Sequence, residues 1–206
     1  ARAFGLHKEF EVVGGVDPSD ENKEQFQRVY GIRTFKTITC AFEHIKADVV
    51  VIASPTLCHL DNLHEVLSCC KPRVILMEKP AVYTKEQAQK MVDMSSESTI
   101  PILINLVRRA DPSVMEIMKR INSGVIKLPC KGVVWYSKGL IHNACPIIDL
   151  LSLWLGTPKK IEVLDAGRKI NNFDWEPDLR IQFSNSIVYF VAKNIEELSY
   201  YNIELL

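Results

Sequence analysis

The sequence predicts a two-domain protein: a doubly wound α/β unit on a parallel sheet, then a second α+β domain with a largely antiparallel sheet. Three observations predict it. The first half alternates short apolar runs with segments of helical period, the rhythm of strand–helix–strand winding. Those runs are nearly continuous rather than alternating, as for parallel strands covered on both faces. From about residue 158 the pattern changes to strand after strand with short polar turns between them.

The elements follow in order. ARAFGLHKEF at 1–10 reads as the tail of a helix leading into a strand, EVVGGVD at 11–17. Ser19 or Asp20 is placed to cap the polar helix that follows, and Gly31 stands where that helix should end. ADVVVIASP at 47–55 is the next strand. Leu60, Leu63, Val66, Leu67 and Cys70 then recur at helical spacing. RVILME at 73–78 is a third strand, after which Thr84 and Gln87 form a capping box for a helix reaching about Met94. PILINLV at 101–107 closes the series. Asp111 and Pro112 suit the N-cap and first position of a helix carrying Val114, Ile117, Met118 and Ile121 on one face. GVVWYS at 132–137 reads as a strand. PIIDLLSLWLG at 146–156 reads as a buried helix. KIEVLDA, DLRIQF, SIVYFVA and YNIELL are the strands of the second sheet. The domains divide near Leu106, as 1–106 and 107–206.

Composition narrows the function classes. Twenty-five basic residues balance 25 acidic ones, so no electrostatic argument favours nucleic acid or an anionic membrane. The longest apolar runs are too short to span a bilayer. Six cysteines, two of them adjacent and none in C-x-x-C spacing, read as the reduced thiols of a cytoplasmic protein. His142-x-x-Cys145 is too small a cluster to indicate a metal.

In an open parallel sheet, ligands bind beyond the carboxyl ends of the strands. That rule selects Asp17, then Ser54-Pro55-Thr56, then Glu78-Lys79-Pro80, then Asn105. A carboxylate at the first of these ends can accept hydrogen bonds from the ribose hydroxyls of a dinucleotide, or it can simply form a turn before Pro18; the residues alone leave these even. The glycine fingerprint G-x-G-x-x-G is absent, and Gly14-Gly15 lies within a strand pattern without that spacing. The expectation is a chain whose first strand and glycine-rich turn precede residue 1, and whose second sheet is also incomplete.

Four stretches carry a resemblance: VVVIASPTLCHLDN, MEKPA, NLVRRADP and KGLIHNACPIIDLLSLWLG. In order and spacing they resemble the Gfo/Idh/MocA family of NAD(P)-dependent oxidoreductases acting on sugars, inositols and related polyols. The resemblance implies an N-terminal Rossmann domain and a C-terminal substrate domain. It implies that Lys79 points at nicotinamide and substrate, assisting proton movement and stabilising negative charge on the reacting oxygen. It further implies that Glu78 helps order the nicotinamide ribose and that the peptide before Pro80 is cis. Asp17, Ser54, Pro55, Thr56, His59, Glu78, Lys79 and Asn105 are the implied cofactor contacts, although His59 could equally pack against its own helix. NAD is expected over NADP, because Asp17 would compete with a 2′-phosphate, and Asp20 and Glu21 add negative charge nearby. A homodimer or homotetramer is expected, since SIVYFVA looks apolar on both faces.

One position departs from the family. Its second motif places a histidine three residues before the aspartate that aligns with Asp149, and an aspartate four residues before that histidine. Here those positions hold Pro146 and His142. Proline has no proton to exchange but sits comfortably in the first turn of a helix. Three accounts compete: His142 substitutes as the acid–base group, Lys79 acts alone, or the protein binds dinucleotide without turning it over, as a sensor or partner protein. Lys79 and His142 are the catalytic candidates, and the expected reaction is hydride transfer between a sugar, inositol or polyol derivative and nicotinamide.

Overall fold

The computed structural model describes residues 2–206, and the backbone falls into two compact units that divide between Asn105 and Leu106. The first contains, in chain order, α1 (Arg2–Gly5), β1 (Gly15–Val16), α2 (Asp20–Tyr30), β2 (Thr34–Phe35) and α3 (Ile38–His44). It continues with β3 (Val49–Ile52), α4 (His59–Cys69), β4 (Val74–Met77), α5 (Lys85–Glu97) and β5 (Ile102–Ile104). All strand pairing in this unit is parallel: β1 with β2, and β3–β4–β5 in that order.

Local chemistry sets the helix ends. Ser19 accepts the N–H of Asn22 at the start of α2. Gly31 ends that helix in the left-handed region at φ 65°, donating its N–H to Gln27, a conformation that costs a residue without Cβ little. Thr84 and Gln87 make the reciprocal capping box of α5, satisfying two donors that a bare helix end would leave without partners. Ile52, Leu63, Val66, Ile75 and Met77 form the core, with Met91 and Met94 of α5 against it. Each such burial is worth roughly 1.5–3 kcal/mol.

Two expectations need correction. The run at 11–17 shrinks to Gly15–Val16, because only these two residues find ladder partners, in Thr34 and Phe35. That partner strand and α3 were not foreseen: a two-residue strand and a seven-residue helix are too short to show a period. Burial is also uneven between the two faces of β3–β4–β5. In the register Val51–Leu76–Leu103, Val51 is 41% and Leu103 54% exposed, whereas Ile75 and Met77 on the opposite face are fully buried. Among the described residues, α4 and α5 pack against the face that carries Ile75 and Met77.

The second unit contains α6 (Pro112–Asn122), β6 (Lys131–Tyr136), a π-helical turn (Leu140–Ala144) and α7 (Cys145–Leu155). Strands β7 (Pro158–Lys169), β8 (Trp175–Phe183), β9 (Ile187–Ala192) and β10 (Tyr201–Leu205) follow. The sheet order is β10-β6-β9-β8-β7, antiparallel except for the parallel pair β6–β9. Asp111 caps α6 through the N–H of Ser113. Ile147, Leu150, Leu151, Trp154 and Leu155 of α7 pack with Ile181, Phe183, Val188 and Phe190 of the sheet, and the Trp154 indole donates to the carbonyl of Val114 on α6. In β9, Val188 and Phe190 are buried while Tyr189 between them is 38% exposed. Burial therefore alternates because α7 covers only one side, while Ile187, Tyr189 and Val191 give the other side an apolar face as well.

Candidate functional site

The parallel register decides which residues share an edge. Ile52, Met77 and Ile104 stand level across β3, β4 and β5. The ladder then continues one step past the strands, with Glu78 N–H donating to Ile52 O and Asn105 N–H to Met77 O. Ser54, Glu78 and Asn105 consequently leave the sheet at the same edge. Glu78 and Lys79 are half-buried and Pro80 is buried, and the Lys79–Pro80 peptide is cis, as expected. A second cis peptide, Leu128–Pro129, was not foreseen.

Side chains knit this edge together. The Asn105 amide donates to Glu78 Oε1 at 2.7 Å. Asn62, one turn into α4, donates to Ser54 Oγ at 2.7 Å. Pro55 leads into the 3-10 turn Thr56–Cys58 that opens into α4. His59 is 1% exposed, and both ring nitrogens lie within hydrogen-bond distance of backbone carbonyls, Nε2 at Ser54 O and Nδ1 at Ala81 O. Its polar atoms are thus spent on the protein. Asn62 escaped the sequence reading, although its place three residues after His59 puts it on the same helix face.

Asp17 follows β1, which belongs to the other parallel pair. Its Oδ1 accepts Ser19 N–H at 2.8 Å and its Oδ2 accepts the Asn22 amide at 3.1 Å. The turn-forming role is therefore real, but each carboxylate oxygen has a second lone pair for a hydroxyl donor. Asp17 borders a depression of about 340 Å³ with Gly15, Asn22, Lys23, Phe26 and Tyr30. Lys23 bonds Asp20 at 2.8 Å and holds that carboxyl below its usual range.

In the second unit, His142 is exposed and sits in the π-helical turn before α7. Pro146 occupies the first turn of α7, where proline was expected to be tolerated. Two buried acids at the start of β8 pin the turn: Asp174 accepts the N–H groups of Ile141 and His142, and Glu176 accepts that of Gly139. Arg168 donates to Glu176 at 2.6 Å, so this buried charge is paired. Gly139 has φ 96°, and a Cβ there would collide with Asp174 Oδ2; only glycine fits. Asp149 is held by Arg109, which donates from Nε and Nη2 to its two oxygens at 2.8 and 2.5 Å, a bidentate pair. Arg108 lies 4.2 Å from the Tyr201 ring centroid. Asp174 and Glu176 were missed: they share the strand phase of Arg180 and Gln182, not that of the core residues Leu179, Ile181 and Phe183, so nothing in the pattern marked them as buried.

Among the described residues, Cys40, Glu43 and His44 bring ligand-type atoms within 4.8 Å of one another. They occupy one turn of α3, which contributes nothing to the strand-end edge. All six cysteines are free, and burial pushes the Cys70 thiol up to about 12.

The parallel order β3–β4–β5 with helices between the strands defines an α/β domain of the Rossmann kind. The family GFO_IDH_MocA, described as "Oxidoreductase family, NAD-binding Rossmann fold", matches residues 1–105, and the chain belongs to it. The rhizopine catabolism protein MocA of Rhizobium meliloti is 30% identical over 96 residues, 47% of this chain and 30% of that protein. An inositol 2-dehydrogenase of the same species (strain 1021) is 27% identical over 128 residues, 61% of this chain and 37% of that protein. The WlbA dehydrogenase of Bordetella pertussis, solved with NADH and UDP-GlcNAcA, superposes with a TM-score of 0.84 at 16% identity, covering 100% of this chain and 66% of that one. A myo-inositol dehydrogenase of Corynebacterium glutamicum gives 0.79 at 17%, covering 100% and 68%. The stretches matched thus span about a third of these two curated relatives, and the structural likenesses establish the fold.

Proposed function

We propose that this chain carries out NAD-dependent hydride transfer between a carbinol carbon of a sugar, inositol or polyol derivative and the nicotinamide ring. The observation that carries the reading is the level edge of β3, β4 and β5, where Ser54, Glu78-Lys79-cis-Pro80 and Asn105 emerge together. The donor set suits a dinucleotide. Asp17 and Glu78 offer carboxylate oxygens to ribose hydroxyls, while Ser54, Thr56 and Asn105 offer small polar contacts beyond the strand ends.

Bound NAD supplies the hydride acceptor. Lys79 serves as the catalytic ammonium, stabilising negative charge on the reacting oxygen. Glu78, held by Asn105, orients a ribose. His142 is the candidate to exchange the hydroxyl proton in place of residue 146, with its turn fixed by Asp174. The assembly is a homodimer or homotetramer in the cytoplasm, joined through the outward face of the second sheet, where Tyr189 is exposed. Sedimentation at micromolar concentration tests that part, and a monomer rejects it.

The central test is NAD and NADP titration of the purified protein, followed by turnover of a panel of inositols, sugars and nucleotide sugars. NAD binding with reduction on at least one polyol is the expected result. NAD binding without any turnover leaves a dinucleotide-binding partner protein; absence of NAD binding rejects the reading.

A further inference from the structure

We propose that His59 is a positioning residue, a buried clip that ties the two strand-end loops of the site to each other. Its Nε2 meets the carbonyl of Ser54, two residues beyond β3, at 2.9 Å, and its Nδ1 meets the carbonyl of Ala81, one residue beyond cis-Pro80, at 3.0 Å. One imidazole therefore spans the backbone of both loops and, at 1% exposure, does so out of water. A neutral ring donates from one nitrogen only and satisfies one of these carbonyls; the imidazolium satisfies both. The first turn of α4 strengthens the grip, because Asn62 holds the Ser54 hydroxyl while His59 holds its carbonyl.

The geometry makes the clip specific to these loops. Lys79 is two residues from Ala81, so the bond to Ala81 fixes the chain directly after the lysine's turn. The ladder bond from Glu78 N–H to Ile52 O fixes the chain directly before it. Lys79 is therefore bracketed by a sheet bond on one side and the imidazole bond on the other. Losing a donor to a buried carbonyl is costly enough to loosen a loop, and the looser loop would carry Lys79 and Ser54 away from their places.

The clip itself stands on hydrogen bonding alone; its consequence for cofactor affinity rests on the proposed function. The experiment compares the parent with His59→Phe, which keeps volume without donors, His59→Gln, which keeps a donor, and Leu63→Ala. Leu63 is a fully buried core residue of the same helix and serves as the packing control. Amide hydrogen exchange is followed over residues 54–58 and 81–83, and NAD affinity is measured well below every melting temperature. The clip requires faster exchange in both loops of His59→Phe, partial restoration in His59→Gln, and about ten-fold weaker NAD binding than the parent. Leu63→Ala should lower Tm and leave the affinity of the folded protein in place. Faster exchange in one loop only, or equal affinity losses for His59→Phe and Leu63→Ala, overturns the proposal. If the parent binds no NAD, the cofactor reading fails and the exchange pattern alone decides the clip.

Discussion

The side-chain amide of Asn105 donates to Glu78 Oε1 at 2.7 Å, joining the ends of two neighbouring parallel strands through side chains as well as backbone. The bond orients one carboxylate oxygen and leaves Glu78 with capacity for ribose hydroxyls. Asn105→Asp sets two carboxylates against each other, where like charges at this range repel. NAD affinity should fall about ten-fold, and further than in Asn105→Ala, as read by equilibrium titration.

Lys79 should separate chemistry from binding. Lys79→Ala is expected to lower kcat by about 10²–10³, the usual cost of one electrostatic group acting on a developing oxyanion. The dissociation constant for NAD and the melting temperature should stay near parent values. A fall in affinity with unchanged kcat would reassign Lys79 to cofactor binding.

Pro146 gives the converse test. Pro146→His restores a proton carrier at the first turn of α7, and turnover should rise by up to about 10²-fold, the low end of general acid–base assistance. His142→Ala should reduce parent turnover and affect Pro146→His less. Steady-state rates of the three variants decide whether His142 is the substitute.

Cofactor choice should follow Asp17. With Asp17→Ala, NADP should gain on NAD by about ten-fold, because the carboxylate no longer opposes a 2′-phosphate and Lys23 remains beside the depression. Paired titrations measure the ratio. Tighter NADP binding by the parent would refute the NAD preference.

Acid stability should carry the mark of the α6 cap. Hydrogen bonds from Ser113 hold the Asp111 carboxyl below its ordinary range. A group whose pKa is lower folded than unfolded contributes stability above its unfolded value and loses it as pH falls through the folded one. The parent should therefore lose melting temperature on acidification in that window. Asp111→Asn keeps a capping side chain but does not titrate, and its curve should be flatter there. Thermal melts from neutral pH downward make the comparison.

Much of this protein was legible in its sequence because the determining signals are local. Ser19, Thr84 with Gln87, Gly31 and Asp111 with Pro112 announce helix ends by chemistry within four residues, and the apolar runs at 49–52 and 74–77 announce strands. The polar groups that interrupt those runs, from Ser54 to Glu78-Lys79-Pro80, marked the candidate edge before any contact was known. What the sequence left open needed neighbours far along the chain. The burial of His59 depends on a carbonyl 22 residues away, and the anchoring of the His142 turn depends on Asp174, 32 residues away. The uneven burial of the row through Val51 and Leu103 depends on which sheet face α4 and α5 pack against. Period and capping are written in adjacent residues; hydrogen-bond partners across loops, and the face a helix chooses, are decided only when the chain packs.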